Sequence, residues 1–465
     1  MRRILEHLRH DWQRIRTKDT FARNAFTVFG GNSLVLLSQL LLTPLIARIY
    51  GPDAYGIYGL FLALVLNLSS FTDLGYSNAY VLPKEDHRFL HLFRLNFTLL
   101  GIMVVIATIV ALNRELLYTL LPDWRPLGDH ICLLPVSLIA YSLSVFFTQW
   151  LTRIRAFSTS VYIGSSATVT LRLFNLGYGV LAKGPYGLII GDALVGVLAL
   201  IAYWTATLKF GIRKLFSGWS WQGIRELAVE YKRYPLLTFP ERWVTLLGMQ
   251  LPVLLLIGDP GVVGQFALSS SLLMIPLRLL GYSFSTVFVQ KAAETVESDP
   301  ELLGRITKGL YLRLFWVGLA PFTAMVFFSD VVFAFVLGEA WRDAGVMTAY
   351  MGLFFFFRLI SEPMVTIFYV QRREHMLLVF QSALMVARLT VMLPLFYADA
   401  GSGAVILGFC AVSALGYLLL GHMLHRATGQ PATKLMLRSL MITLVACVFF
   451  AAVRYLSLGN LWPTL

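Results

Sequence analysis

Apolar runs of about 20 residues recur along nearly the whole chain, separated by short polar intervals. A helix needs roughly 20 mostly apolar residues to cross a hydrocarbon core of about 30 Å. On that rule the pattern predicts spans at 26–48, 54–82, 93–112, 131–151, 158–181, 186–208, 236–257, 262–289, 309–337, 344–370, 376–397, 403–424 and 435–456. The longest polar interval, Lys209–Tyr234, falls near the middle and carries Lys209, Arg213, Lys214, Arg225, Lys232 and Arg233. The expectation is an all-α polytopic membrane protein of two six-helix lobes plus one extra C-terminal helix, within a range of twelve to fourteen transmembrane helices. Its segments are a basic N-terminal stretch at 1–25, an N-lobe at 26–208, a basic elbow at 209–235, a C-lobe at 236–424, and a linker with a further helix at 425–465.

The polar landmarks repeat in step. Tyr55–Leu60 (YGIYGL) aligns with Val263–Leu268 (VGQFAL), each after a Gly-Pro-Asp or Gly-Asp-Pro turn. Leu120-Leu121-Pro122-Asp123-Trp124-Arg125 matches Val336-Leu337-Gly338-Glu339-Ala340-Trp341-Arg342, and Gly184 and Gly191 match Gly401 and Gly408. Both halves start on the same side, which predicts a parallel repeat about a pseudo-twofold axis along the membrane normal. Lys and Arg concentrate in alternate loops (83–94, 152–157, 209–235, 290–308, 371–375, 425–438), and the positive-inside rule then places the N-terminus in the cytoplasm.

Composition narrows the class. Hydrophobic residues make up 57% of the 465 and charged residues 14%, too few to cover a soluble surface. The net charge of +13 sits in short loops, so it points to membrane topology rather than to nucleic acid. Cys132, Cys410 and Cys447 have no paired spacing, which excludes a disulfide framework and a CxxC zinc site. No catalytic cluster, metal-ligand spacing or nucleotide loop is found, so an enzyme is not expected. Ile4, Leu5, Leu8, Trp12 and Ile15 recur at helical spacing among basic residues; they suit an amphipathic helix on an anionic leaflet, or a solvated basic tail.

The candidate chemistry lies in charges within the spans. Arg172, Arg242, Arg278, Arg358 and Arg388 each cost about 2.5–3.5 kcal/mol in hydrocarbon, so they should face a hydrated cavity or a counter-charge. Arg172 and Arg388 occupy equivalent repeat positions, and guanidinium groups bind phosphate oxygens bidentately, which makes a diphosphate a natural occupant. The same arginines would be structural if each met a carboxylate or helix-end carbonyls. Glu362 follows Arg358 at i,i+4 and can pair with it; Asp73 and Glu362 are the candidates for carrying a coupled proton or sodium ion. The run Phe354–Phe357 reads as lipid-facing or packing surface, Trp124, Trp219, Trp221 and Trp341 as interfacial rings, and Arg454 and Trp462 as the interfacial end of the last helix.

Leu41-Leu42-Thr43-Pro44-Leu45-Ile46-Ala47-Arg48-Ile49-Tyr50-Gly51-Pro52-Asp53-Ala54-Tyr55-Gly56, continuing to Val81-Leu82-Pro83-Lys84, resembles the opening of the polysaccharide biosynthesis (oligosaccharide flippase) family. Tyr234-Pro235, Gln250-Leu251-Pro252-Val253-Leu254-Leu255 and Pro276-Leu277 resemble the start of that family's second half. The resemblance implies a V-shaped pair of lobes with a cationic lumen that moves an undecaprenyl-diphosphate-linked oligosaccharide across the bacterial inner membrane. It implies as partners membrane lipids, a polysaccharide polymerase and a chain-length regulator, and no cofactor beyond a coupling proton or sodium gradient. The thirteenth helix departs from the twelve expected of that family.

Overall fold

A computed structural model describes residues 20–182, 184–208, 218–296 and 298–463. The N-terminal amphipathic stretch and the first half of the basic elbow, 209–217, lie outside the described residues. The described residues contain helices and no strand. In chain order the helices are α1 Thr20–Phe71, α2 Asp86–Leu112, α3 Arg114–Leu120, α4 Leu134–Arg153, α5 Phe157–Leu181, α6 Tyr186–Leu208, α7 Trp221–Glu230 and α8 Phe239–Leu255. They continue as α9 Pro260–Pro276, α10 Tyr282–Thr295, α11 Pro300–Leu337, α12 Arg342–Ser361, α13 Thr366–Val370, α14 Glu374–Tyr397, α15 Ser402–Ala427 and α16 Ala432–Leu458.

Ten stretches of the described residues are long and apolar enough to cross a membrane, and the chain is a multi-pass membrane protein. The first, Gly30–Phe71, has 42 residues, roughly 63 Å of helix, or two crossings. It bends at Gly51 (φ 75°, ψ 173°), a conformation open essentially to glycine alone, and Pro52 then starts the next helical turn. The expected spans 158–181 and 236–257 fall outside the ten: α5 is rich in Ser and Thr, and α8 has only 17 residues.

Several expected spans are broken by local backbone chemistry. The span expected at 54–82 stops at Phe71, because Leu74 (φ 45°) and Gly75 (φ 81°) adopt left-handed conformations. Asp73 closes that turn, accepting the Gly75 N–H at 2.8 Å and the Ser77 hydroxyl, and a 3-10 turn follows at Tyr76–Val81. The loop expected at 113–130 instead holds α3 and a tight helix at Pro122–Leu133. Wide π-helical turns occupy Tyr234–Thr238 and Leu277–Gly281, the latter directly after Pro276, and Glu362–Met364 forms a 3-10 break around Pro363.

The chain forms two compact units. The first comprises the described residues up to Ile49, Leu64–Leu120 and Gly128–Pro235; the second comprises Tyr50–Ala63, Leu121–Leu127 and the described residues from Leu236. Within the first unit, the described half of the elbow is the amphipathic helix α7, N-capped by Ser220 and burying Ile224 and Leu227. Tyr76 of the 3-10 turn donates to the Ala228 carbonyl at 3.0 Å, Arg88 of α2 pairs with Glu230, and Arg94 of α2 donates to the Gly218 carbonyl just before α7 at 2.8 Å, which together hold α7 and its approach against α2 and the turn before it. Arg153 donates to the carbonyls of Tyr80 and Pro83, stacks 4.7 Å from the Phe89 ring and lies 3.4 Å from Asp86. An aromatic cluster of Tyr80, Phe89, Phe93, Phe147 and Trp150 fills the core beneath it.

In the second unit, the turns after Gly51 and before Pro260 cross at very close range. A Cβ on Gly56 would lie 1.7 Å from the Pro260 carbonyl oxygen, and one on Gly264 would lie 1.9 Å from the Pro52 carbonyl oxygen. The contact is reciprocal: each Pro-x-x-x-Gly element sets its glycine against the other's proline. That is the signature of a local twofold between repeated segments, and small residues are what allow two helices to approach so closely. Gly59 against Ala267, one turn further on, continues it. Trp341, expected at an interface, is instead buried against the Tyr55 ring at 5.3 Å.

In the last helix Arg454, expected at its interfacial end, is turned away from water: it is 1% exposed and faces α11. Its two terminal nitrogens meet the Asp330 carboxylate at 2.8 Å each, one of them also reaching the Phe327 carbonyl, and its Nε donates to Asn460 at 2.8 Å. Trp462 packs on the Phe327 ring at 5.3 Å. Four guanidinium hydrogen bonds, two of them to the Asp330 carboxylate, hold a bidentate, desolvated pair of the kind that is costly to break from one side.

Two outcomes follow for thermal unfolding in detergent. Gly56→Ala or Gly264→Ala should each lower stability by about 1–3 kcal/mol, because the added methyl has nowhere to go. Arg454→Ala should cost about 3–5 kcal/mol by stranding Asp330, whereas Arg454→Met combined with Asp330→Leu should recover most of the lost Tm.

Candidate functional site

The in-span arginines meet very different surroundings. Arg172, on α5 of the first unit, is half-buried and donates to the Thr43 hydroxyl of α1 at 2.8 Å. Arg242, at the start of α8, is exposed. Its neighbour Glu241 is buried and accepts hydrogen bonds from Tyr369 of α13 at 3.1 Å and from Thr245 of its own helix at 3.3 Å, so the acid is held by two hydroxyl groups. Asp73 lies in the first unit, occupied in closing the turn after α1.

The other three arginines gather in the second unit. Arg358, in the last turn of α12, is 6% exposed and forms a two-pronged pair with Glu362 at 2.6 and 3.0 Å. The helix stops there because Pro363 lacks an N–H, and Glu362 sits at the break with its carboxylate turned back by one turn. Arg278 is carried on the wide turn Leu277–Gly281 and is exposed; it lines a cavity of about 140 Å³ together with Met274, Leu359, Glu362 and Pro363. Such π-turns re-aim side chains that a regular helix would place elsewhere.

Arg388 is the unusual one. It is 2% exposed in the middle of α14, and among the described residues no carboxylate pairs with it. Its Nε donates to the Ser413 hydroxyl at 2.9 Å, and that hydroxyl in turn donates to the Phe409 carbonyl at 2.6 Å. The guanidinium lies 4.8 Å from the Phe409 ring and 5.9 Å from the Phe354 ring. Gly248 on α8 makes room for it: a Cβ there would come within 3.0 Å of Arg388 Nη1. The expected hydrated cavity or counter-charge is thus replaced by aromatic faces and one hydroxyl. Cation–π contact offsets about 0.5–2 kcal/mol of the desolvation cost, which leaves the charge itself unneutralised.

Arg358 and Arg388 converge on one residue. Met249 Sδ lies 3.5 Å from Arg358 Nη1 and 4.0 Å from Arg388 Nη2. The sulfur is a soft, weak acceptor that a stronger anion could displace. Three guanidinium groups and one carboxylate leave this part of the second unit with an excess of positive charge, in a setting where charge-assisted hydrogen bonds are strong. Phe354–Phe357 are all buried, so the run is core rather than lipid-facing surface, and Phe354 belongs to the wall around Arg388. Met249, Ser413 and Phe409 carried no sequence signal, since a lone Met, Ser or Phe in an apolar span is ordinary. Among the described residues no group of His, Cys, Asp and Glu has the geometry of a metal site.

The fold has clear counterparts. A structure of the lipid II flippase MurJ in an inward closed conformation superposes with a TM-score of 0.59 at 13% identity, covering 94% of this chain and 99% of that one. A mutant of the Vibrio cholerae MATE transporter VcmN gives 0.54 at 13% identity over 87% of this chain and 95% of the other. A MOP superfamily transporter from Pyrococcus furiosus gives 0.53 at 14% identity, over 88% and 96%. At such identities the likeness speaks for the fold, which is one that flippases and transporters use. A comparison with curated proteins finds no match. The sequence profile described as "polysaccharide biosynthesis protein" matches residues 45–346, more than half of the chain. The chain therefore belongs to the polysaccharide biosynthesis protein family.

Proposed function

We propose that this protein is a flippase that carries undecaprenyl-diphosphate-linked oligosaccharide repeat units from the cytoplasmic to the outer leaflet of the bacterial inner membrane. Its N-terminus is then cytoplasmic, and a polymerase and chain-length regulator act on the delivered units. Family membership and the MurJ/MATE-like fold support a lipid-linked cargo. The observation that carries the reading is Arg388, a buried cation held ready beside Arg358 without a carboxylate of its own.

The physical task is to move a charged, sugar-bearing headgroup through hydrocarbon while its polyprenyl tail stays in lipid. A diphosphate arriving at the second unit exchanges Met249 for phosphate oxygens on Arg358 and Arg388, while Arg278 approaches from the exposed turn. Arg172, in the first unit, is a further candidate donor to phosphate oxygens. Exporting two negative charges from a negative interior is favoured by about 4.6 kcal/mol at 100 mV, so the sign of the potential already drives export. Coupling to a proton or sodium gradient through Glu362 would add to this drive without being needed for direction. The likeness to MurJ keeps lipid II or a teichoic-type carrier as the second reading, with the same diphosphate and a different glycan.

Loss of the gene should leave intact single repeat units on the inner leaflet and deplete surface polysaccharide; unchanged surface polysaccharide, or arrested lipid II instead, would reject the leading assignment. Arg388→Gln should weaken binding of farnesyl diphosphate to the purified protein by about ten-fold or more, the worth of one charge-assisted hydrogen bond, and Arg172→Ala and Arg388→Ala should each abolish export while the protein remains inserted. Export that persists in the double variant removes both residues from the site. Glu362→Gln should tighten diphosphate binding several-fold by releasing Arg358, a direction opposite to that expected of a merely structural pair.

A further inference from the structure

A second cationic feature lies away from these arginines, between α11 and α16 of the second unit. Lys308 on α11 and Lys434 and Arg438 on α16 line one groove of about 390 Å³. All three are exposed, and among the described residues none of them forms an ion pair. Below them the groove is walled by Phe315, Trp316, Leu435 and Ile442. Helical spacing explains the division: Lys308 leads at i,i+8 to Trp316, and Lys434 leads at i,i+4 and i,i+8 to Arg438 and Ile442, so each helix offers a stripe that is charged at one end and apolar further on.

The depth of the groove can be placed along the bilayer. Arg454 and Asp330, which join the same two helices, lie 20 residues beyond Lys434 and 22 beyond Lys308. At 1.5 Å per residue that is about 30 Å, the thickness of the hydrocarbon core. With the Arg454–Asp330 pair near one edge of the hydrocarbon core, Lys308 and Lys434 fall at the headgroup level of the opposite edge, with Arg438 about 6 Å and Trp316 about 12 Å further in along their helices. At this end α16 begins after Pro431, which offers no side-chain cap, so the first amides of the helix also favour an anion.

We propose that this groove holds an anionic glycerophospholipid of the surrounding bilayer, its phosphate among Lys308, Lys434 and Arg438 and one acyl chain along Phe315, Leu435 and Ile442. Positive charge above an apolar wall matches that one ligand: a free phosphate would leave the wall bare, and a zwitterionic lipid would bring its own cation against three others. The bound lipid would seal the seam by which the last helix is attached to α11, beside the buried Arg454–Asp330 pair at its other end. The site is separate from Arg278, Arg358 and Arg388, and it stands whether or not they bind a diphosphate.

The test is native mass spectrometry of the full-length protein in detergent, titrated with phosphatidylglycerol and with phosphatidylcholine of the same acyl chains. Attraction at a membrane surface amounts to roughly five-fold in affinity per basic residue, so three residues give a preference on the order of 100-fold for phosphatidylglycerol. The triple variant Lys308→Gln, Lys434→Gln, Arg438→Gln should lose that preference while its melting temperature without lipid is kept. Arg313→Gln, an exposed cation of α11 outside the groove, should retain it. A preference that survives the triple substitution, or that falls as far with Arg313→Gln, overturns the site. So does displacement of phosphatidylglycerol from the groove by farnesyl diphosphate at equal concentration, which would assign it to the transported carrier.

Discussion

A guanidinium group cannot rest in hydrocarbon uncompensated, and the structure answers that constraint differently for each arginine it buries. Arg454 receives a carboxylate from another helix, Arg358 one from its own, and Arg94 and Arg153 receive backbone carbonyls. These are closed arrangements in which charge is spent on holding helices together. Arg388 receives a hydroxyl, two aromatic faces and a sulfur. A buried cation left in that condition has unused capacity for an anion, which is why the proposed binding role falls to it.

Backbone irregularity does the positioning. Each of the three grouped arginines stands beside a departure from regular, close-packed helix: Arg278 on a π-turn after Pro276, Arg358 just before the Pro363 break, and Arg388 against the space left by Gly248. Non-helical backbone at membrane depth is tolerated only where protein or a polar cavity satisfies it, so such departures mark places where the fold gives up regular hydrogen bonding for side-chain placement. The Gly56–Gly264 crossing does the opposite. There the loss of side chains lets two repeated segments meet backbone to backbone, and α9 runs from that contact to the turn that carries Arg278.

The sequence alone was sufficient for the class and for most of the spans, because hydrocarbon demands long apolar runs and charge in the loops regardless of how helices pack; it did not show the breaks at Leu74–Gly75, Leu277–Gly281 and Glu362–Met364 that interrupt three of them. It also carried one local mark of repetition that the structure meets, the turns where Pro52 and Gly56 recur as Pro260 and Gly264. It further located the costly arginines, because a charge inside an apolar run is visible wherever its side chain points. What it could not provide was direction. The spacing of Arg454 set its depth near one edge of the bilayer, yet only packing turned it toward Asp330 rather than toward water. Asp73 lies at the end of an apolar run and reads as a membrane acid, but two left-handed residues make it the closure of a turn. Tertiary structure alone decided which arginines found partners, because pairing depends on which helices are neighbours and how each is rotated, and neither is written in the period of one helix.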